Sequence, residues 1–213
     1  TTAAPLLVEL LGHWRATTAD GSIGPGDWKS KKAFEVLSVL AIASPSGRSR
    51  EQVIEEIWPA RDPDKGRTLL RTALSEIRRV LEPGRQRGEA SRHVEAVGDR
   101  VVVRAETDVE AARGALANGD HQAAFTALAR GLAPDCPEAD WVDEQRSTVA
   151  RLTLEAAEQV AASSGPSQIA ALEALVAAEP WSKDHVDALA AAHRTAGNAA
   201  AANAVERRWF EDD

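Results

Sequence analysis

The segment Asp64–Leu81, DKGRTLLRTALSEIRRVL, has the periodicity of a single amphipathic helix. At about 100° per residue, its large aliphatic side chains fall within one narrow arc, which predicts a buried seam. The residues of this seam are Leu70, Leu74, Ile77 and Leu81. The opposite arc carries Thr68, Thr72, Ser75 and Arg79, flanked by Arg67, Arg71 and Arg78. The helix is therefore expected to bury one side and to present basic and hydroxyl groups on the other.

Two interpretations fit such a helix. Short hydroxyl side chains let a helix lie deep in a DNA groove, and arginines reach base edges and phosphates. Residues of about 64–82 would then form a recognition helix in the major groove. The alternative is a solvated basic helix that packs through its apolar side alone.

The elements around this helix predict a winged helix-turn-helix. The second predicted helix opens with a capping box, in which Ser49 is followed three residues later by Gln52. Gly98-Asp99 separates two short β-prone runs, 93–97 and 100–104, and predicts a β-hairpin. The remaining predicted elements are a strand at Leu6–Trp14, turns at Gly21–Gly26, and helices at Ser30–Ser44 and Ser49–Trp58.

Beyond residue 105 the chain changes to alanine-rich helical patterns. Their spacing loosely matches the repeat of about 34 residues in tetratricopeptide units, and a plain helical bundle is the alternative. The predicted fold is mainly α with a small β component: a winged helix-turn-helix domain over 1–105, then a tetratricopeptide-like helical repeat domain over 106–213. The predicted helices cover about 107–118, 120–130, 137–163, 167–178, 182–196 and 199–210.

The net charge of −8 is unevenly distributed along the chain. Residues 1–105 hold 17 basic and 14 acidic side chains, a net of +3, whereas residues 106–213 hold 8 and 19, a net of −11. The first part can therefore approach phosphates, and the second should be repelled by them.

Several function classes lack support in the sequence. The five histidines show no metal-ligand spacing, no phosphate-binding glycine loop is present, and the single Cys136 is interpreted as a bystander rather than a nucleophile. We therefore expect no enzymatic activity, no cofactor and no metal. No apolar run approaches the roughly 20 residues that span a membrane, and no signal peptide is visible. With one cysteine, this predicts a cytoplasmic protein without a membrane partner.

Six stretches carry a resemblance to a known family. The first four resemble the OmpR-type DNA-binding domain of the antibiotic regulatory proteins of actinomycetes (SARP-like regulators). The last two are similar to their bacterial transcriptional activator domain. In chain order the stretches are LLGHW, SKKAFEVLSVLA, SREQVIEEIWP and RTLLRTALSEIRRVLEP, then ADWVDEQRSTVARLTLEAAEQVA and ALVAAEPWSKDHVDALAAAHRTAGNAAAANAVERRW.

The resemblance implies a transcriptional activator that binds promoter direct repeats as a homodimer. It also implies contact with RNA polymerase through the loop Pro59–Pro63 and the activator domain. In this interpretation Arg79 reads a guanine edge, and three hydroxyls contact bases or phosphates. The hydroxyl residues are Thr68, Thr72 and Ser75. The phosphate backbone of the DNA would be held by Lys65, Arg71 and Arg78, with Arg67 beside them. The hairpin would contact the adjacent minor groove through Arg92 or Arg100.

Two positions depart from the family pattern. The hairpin ends in Val101–Val103 where the family usually has a tyrosine and a leucine, and Glu76 stands where a basic residue is common. They favour a second hypothesis: a helical-repeat interaction scaffold whose winged helix no longer binds DNA.

Overall fold

The computed structural model describes residues 5–86, 88–133 and 140–211. The chain divides into two compact units. The first contains 1–111 with 130–147, and the second contains 112–129 with 148–213. The predicted domains, 1–105 and 106–213, remain a prediction. The interpretation of Cys136 lies outside the described residues.

The first unit contains a four-stranded sheet that the sequence only partly predicts. Three of its strands come from the start of the chain: β1 (Leu6–Glu9), β2 (Arg15–Thr18) and β3 (Gly21–Ile23). The fourth comes much later in the chain and is therefore numbered β7 (Ala105–Thr107). The order of the strands across the sheet is β3-β2-β1-β7. Strands β1, β2 and β3 pair antiparallel, and β7 pairs with β1 in parallel, with Leu6 opposite Ala105 and Val8 opposite Thr107. Leu6 and Val8 are fully buried, as the alternation of side chains along a half-buried strand requires.

The predicted strand Leu6–Trp14 is wrong in its second half. Strand β1 ends at Glu9, because the next two backbone amides turn to the carboxylate of Asp108. Leu10 N–H donates to Asp108 Oδ1 at 2.8 Å and Leu11 N–H to Oδ2 at 3.0 Å. The predicted turn region Gly21–Gly26 likewise begins with strand β3, so the prediction there is only partly right.

Three helices and a second sheet complete the winged helix. They are α1 (Lys31–Ile42), α2 (Arg50–Ile57) and α3 (Pro63–Leu81), with β4 (Arg48–Ser49), β5 (Val94–Val97) and β6 (Arg100–Val103). The apolar run of α1 is buried from Ala33 to Ala41, and α1 packs against both α2 and α3. The capping box of α2 is confirmed, since Gln52 N–H donates to Ser49 Oγ and Ser49 N–H to Gln52 Oε1. The predicted hairpin is also confirmed: β5 and β6 pair across Gly98-Asp99, and β6 pairs further with β4.

The remaining helices match the predicted pattern closely. They are α4 (Asp108–Ala117), α5 (His121–Leu128), α6 (Asp140–Ala161), α7 (Gln168–Ala178), α8 (Lys183–Thr195) and α9 (Ala199–Glu211). In the second unit α7 packs on α8, and α8 packs on α9. Apolar side chains of these helices, among them Leu172, Leu175, Leu189 and Ala202, form the core. The predicted fold class, mainly α with a small β component, is confirmed.

No described helix has the length and apolar content needed to cross a membrane. Within the described ranges, no group of three or more His, Cys, Asp or Glu side chains is arranged to hold a metal ion.

Candidate nucleic-acid interface

Helix α3 has a well-defined start and one buried side. Asp62 caps it, because the carboxylate accepts hydrogen bonds from the backbone amides of Asp64 (3.1 Å) and Lys65 (3.2 Å), and Pro63 occupies the first turn. The predicted seam is buried and also includes two small residues that allow close approach of neighbouring helices. The buried residues are Gly66, Leu70, Ala73, Leu74, Ile77 and Leu81.

The opposite side of α3 brings together seven of the ten predicted contact residues, all exposed. We call this surface the α3 outer face: Lys65, Arg67, Thr68, Arg71, Thr72, Ser75 and Arg79. Within the described part of the chain, no ion pair involves Lys65 or Arg71. Arg67 pairs with Asp64 at 2.6 Å, and Arg79 lies 3.9 Å from Glu76. Most of the positive charge of the face is therefore available to a ligand.

The threonines of the outer face use their hydroxyl protons locally. Thr68 Oγ1 donates to the carbonyl of Asp64, and Thr72 Oγ1 donates to the carbonyl of Thr68, both at 3.1 Å. Each hydroxyl oxygen keeps its lone pairs as acceptors for an external donor such as an exocyclic amino group of a base. The face is thus chemically suited to contact base edges as well as phosphates.

Arg78 lies at the edge of the outer face, two helical turns after Arg71. It is half-buried, and burial, together with the positive charges of Arg85 and Arg50, holds the pKa of the Arg78 guanidinium below its ordinary value. Glu82 acts in the opposite direction. Arg78 therefore belongs to a group of arginines along one edge of α3, beside the start of α2.

The structure gives the two predicted hairpin arginines contacts within the protein. Arg100 donates from Nε to the carbonyl of Ser46 (3.0 Å) and from Nη2 to that of Gly47 (2.7 Å), so it fastens the hairpin to the turn after α1. Arg92 lies before β5, and its Nη2 is 3.5 Å from Asp20 Oδ2. Neither guanidinium joins the α3 outer face.

Glu76 has a role that the sequence analysis missed. Its Oε1 accepts hydrogen bonds from the backbone amides of Lys29 (2.7 Å) and Ser30 (2.9 Å), at the start of α1. Its side chain is only 12% exposed. Ser30 is the N-cap residue of α1, yet its own side chain makes no capping hydrogen bond. The Glu76 carboxylate thus connects α3 to the start of α1 at the edge of the outer face.

Lys29 is a second missed residue. It lines a shallow surface groove together with five residues of α3: Arg71, Thr72, Ser75, Glu76 and Arg79. Its ammonium therefore extends the positive charge beyond the helix itself. The only sequence signal for it was the short lysine run at Lys29–Lys32, before and at the start of α1.

Glu82 anchors the hairpin to the end of α3. This buried carboxylate accepts three hydrogen bonds at Oε1, from Ser91 Oγ (2.9 Å), Arg92 N–H (2.7 Å) and His93 N–H (3.0 Å). On the other side of the hairpin, Arg50 N–H donates to the carbonyl of Asp99 at 3.0 Å. The hairpin is therefore fixed relative to α2 and α3, as a wing must be to contact DNA in register with a recognition helix.

These features define a winged helix-turn-helix with an exposed basic third helix, followed in the chain by helices of the repeat type. The solved structure of Mycobacterium tuberculosis EmbR in complex with a low affinity phosphopeptide has a similar fold, with a TM-score of 0.66 and 19% identity. The likeness covers 96% of this chain and 58% of the EmbR chain, so the chain spans less than two thirds of that protein. No family model and no curated protein matches the sequence.

Proposed function

We propose that the protein is a sequence-specific DNA-binding transcriptional regulator that places α3 in the major groove. The observation that carries this proposal is the α3 outer face, where seven predicted contact residues are exposed together on a helix buried along its other side. The shared fold with EmbR agrees with a regulator.

The contacts follow from the positions of the side chains. Arg79 lies at the C-terminal end of the outer face and reads a guanine edge, while Lys65, Arg71 and Lys29 bind phosphates. Arg78 has a lesser role, because its guanidinium is half-buried. Arg92 and Arg100 position the hairpin; any minor-groove contact by them requires exchange of their present partners.

The finer parts of the proposal concern partners. The loop Pro59–Pro63, between α2 and α3, is exposed throughout, so it is open to a partner. We assign to it the contact with RNA polymerase that makes the protein an activator. Binding to direct repeats as a homodimer completes the proposed mode of action.

Selection of bound fragments from random double-stranded DNA by the full chain tests the proposal. A recurring motif is expected, with each good base contact worth about 1–3 kcal/mol of discrimination. Arg79→Ala should relax the preference at one position of the motif, whereas Lys65→Ala should weaken all sequences alike. With about four phosphates bound per protomer, log K should fall against log salt with a slope near −3.6.

The alternative function, a scaffold whose winged helix does not bind DNA, rested in part on Glu76. Since the Glu76 carboxylate accepts hydrogen bonds from the backbone amides just before α1, that argument loses its weight. Recovery of no motif, together with no salt-dependent retention on DNA at about 50 mM salt, would refute DNA binding and favour the scaffold.

A further inference from the structure

The second unit contains an apolar groove formed by α7, the α7–α8 turn, α8 and α9. Its volume is about 770 Å³, within the range of roughly 300–1,000 Å³ typical of binding pockets. The buried side chains of Val186 and Leu189 form its floor. Its walls are built mainly from apolar residues: Val176, Ala177, Pro180, Trp181, Val205 and Trp209.

Trp181 is the most unusual residue of this groove. Its indole is 75% exposed, more than any other large hydrophobic side chain in the described part of the chain. An exposed indole beside an apolar groove is costly to leave in water, and tryptophan is the residue most enriched at binding hot spots. The groove with Trp181 is therefore suited to a partner that covers the ring.

The backbone of the groove restricts the conformation of that partner. The described residues of the second unit form helices and no strand, so an extended peptide finds no sheet edge to pair with. A helical segment satisfies its own backbone hydrogen bonds and places only side chains in the groove.

The charges around the groove restrict the partner further. Glu173 lies in the groove wall, and Glu179 and Asp184 are exposed on either side of Pro180 and Trp181. Arg208 is the basic residue of the lining. The second unit as a whole holds 6 basic and 11 acidic side chains, a net of −5. A basic partner is attracted by this surface, whereas the second unit of another copy, which carries the same net charge of −5, is repelled from it.

We propose that the groove between α7, α8 and α9 is a docking site for an amphipathic helical segment of another protein, with apolar side chains facing Trp181 and lysines or arginines facing the acidic rim. This inference concerns the second unit and does not depend on DNA binding by the first.

The test selects 16-residue peptides from a displayed random library on the full chain, then measures the most enriched synthetic peptide by fluorescence anisotropy. The expected peptides carry apolar residues at helical spacing (i, i+3 or i+4, i+7) and a net positive charge. Trp181→Ala should weaken binding at least tenfold. Because the side chain is mostly exposed, the thermal unfolding midpoint should change little.

Two further variants and one control separate docking from a general loss of structure. Ala177→Arg fills the groove wall with a charged side chain that retains good helix propensity, and should also weaken binding at least tenfold. Glu173→Lys should weaken binding severalfold, with the loss shrinking as salt is raised. Val97→Ala, which removes an exposed apolar side chain of the hairpin, should leave peptide affinity unchanged.

Three results would overturn the proposal: selection of no peptide, selection of acidic or non-amphipathic peptides, or equal binding to the Trp181→Ala and wild-type chains. A concentration-dependent dimer that Trp181→Ala dissociates would also overturn it, since the occupant would then be a second copy. DNA binding measured on the Trp181, Ala177 and Glu173 variants should be unaffected, so failure of this proposal is distinguishable from failure of the first.

Discussion

Removal of the Glu76 carboxylate should destabilise the winged helix measurably. The carboxylate accepts two backbone hydrogen bonds, at 2.7 and 2.9 Å, and both connect α3 to the start of α1. A hydrogen bond to a charged group contributes about 1.5–3 kcal/mol when its loss leaves the partner buried. Lys29 is exposed and Ser30 half-exposed, so water replaces part of that loss. We therefore expect Glu76→Ala to lower the free energy of unfolding by about 2 kcal/mol.

The size of the effect in a second variant separates hydrogen bonding from charge. Glu76→Gln retains one side-chain oxygen, which can accept both amide hydrogen bonds but lacks the negative charge that strengthens them. Its expected loss is about 1 kcal/mol, roughly half that of the alanine variant. Glu55→Ala removes an exposed carboxylate of α2 and should cost less than about 0.5 kcal/mol.

Urea unfolding followed by tryptophan fluorescence is the appropriate assay. Four of the six tryptophans belong to the unit that contains Glu76, and the ring centroid of one of them, Trp14, lies 4.7 Å from that of Phe34 on α1, so the emission mainly reports the integrity of that unit. The reasoning is refuted if Glu76→Ala unfolds at the same urea concentration as the Glu55→Ala control. It is also refuted if either Glu76 variant binds DNA tenfold more tightly than the wild type, because the carboxylate would then face the DNA.

Three further perturbations probe the packing around the interface. Gly66→Ala places a Cβ 2.5 Å from Ile54 Cγ2, so unfolding by urea should show a loss of about 1–2 kcal/mol despite the better helix propensity of alanine. In an Ile54→Ala background, which lacks the opposing methyl group, the same Gly66→Ala change should cost much less. At Gly47, with a φ of 65°, an added Cβ would clash with a backbone carbonyl of β6, whereas at Gly98, with a similar φ of 61°, it would enter open space. Calorimetry should therefore show Gly47→Ala to be more destabilised than Gly98→Ala by at least about 2 kcal/mol, and equal melting temperatures would contradict the clash. Burial lowers the pKa of His93 in the folded state, so the unfolded chain binds the proton first and the free energy of unfolding should fall as pH drops below about 6.5. Between pH 7.5 and 5.5 the urea midpoint of a His93→Gln variant should change less than that of the wild type, and an equal change in both chains would refute the role given to His93.

The sequence by itself determined the features that depend on neighbours along the chain. The seam and outer face of α3 follow from helical periodicity, because each side chain's direction is set by its position in the turn. The capping box at Ser49 and the hairpin at Gly98-Asp99 involve residues no more than nine positions apart, so they were predictable locally.

Only the tertiary structure decided the roles of charged residues that act across long separations. Glu76 accepts hydrogen bonds from amides 46 and 47 residues earlier in the chain, and Arg100 donates to a carbonyl 53 residues earlier. Strand β1 pairs with β7, and the backbone that follows β1 donates to Asp108, a residue 98 positions after Leu10. The type of a side chain and its helical angle indicate what it can bind. Its actual partner depends on how separate elements pack, and that packing places the backbone amides just before α1 against the Glu76 carboxylate.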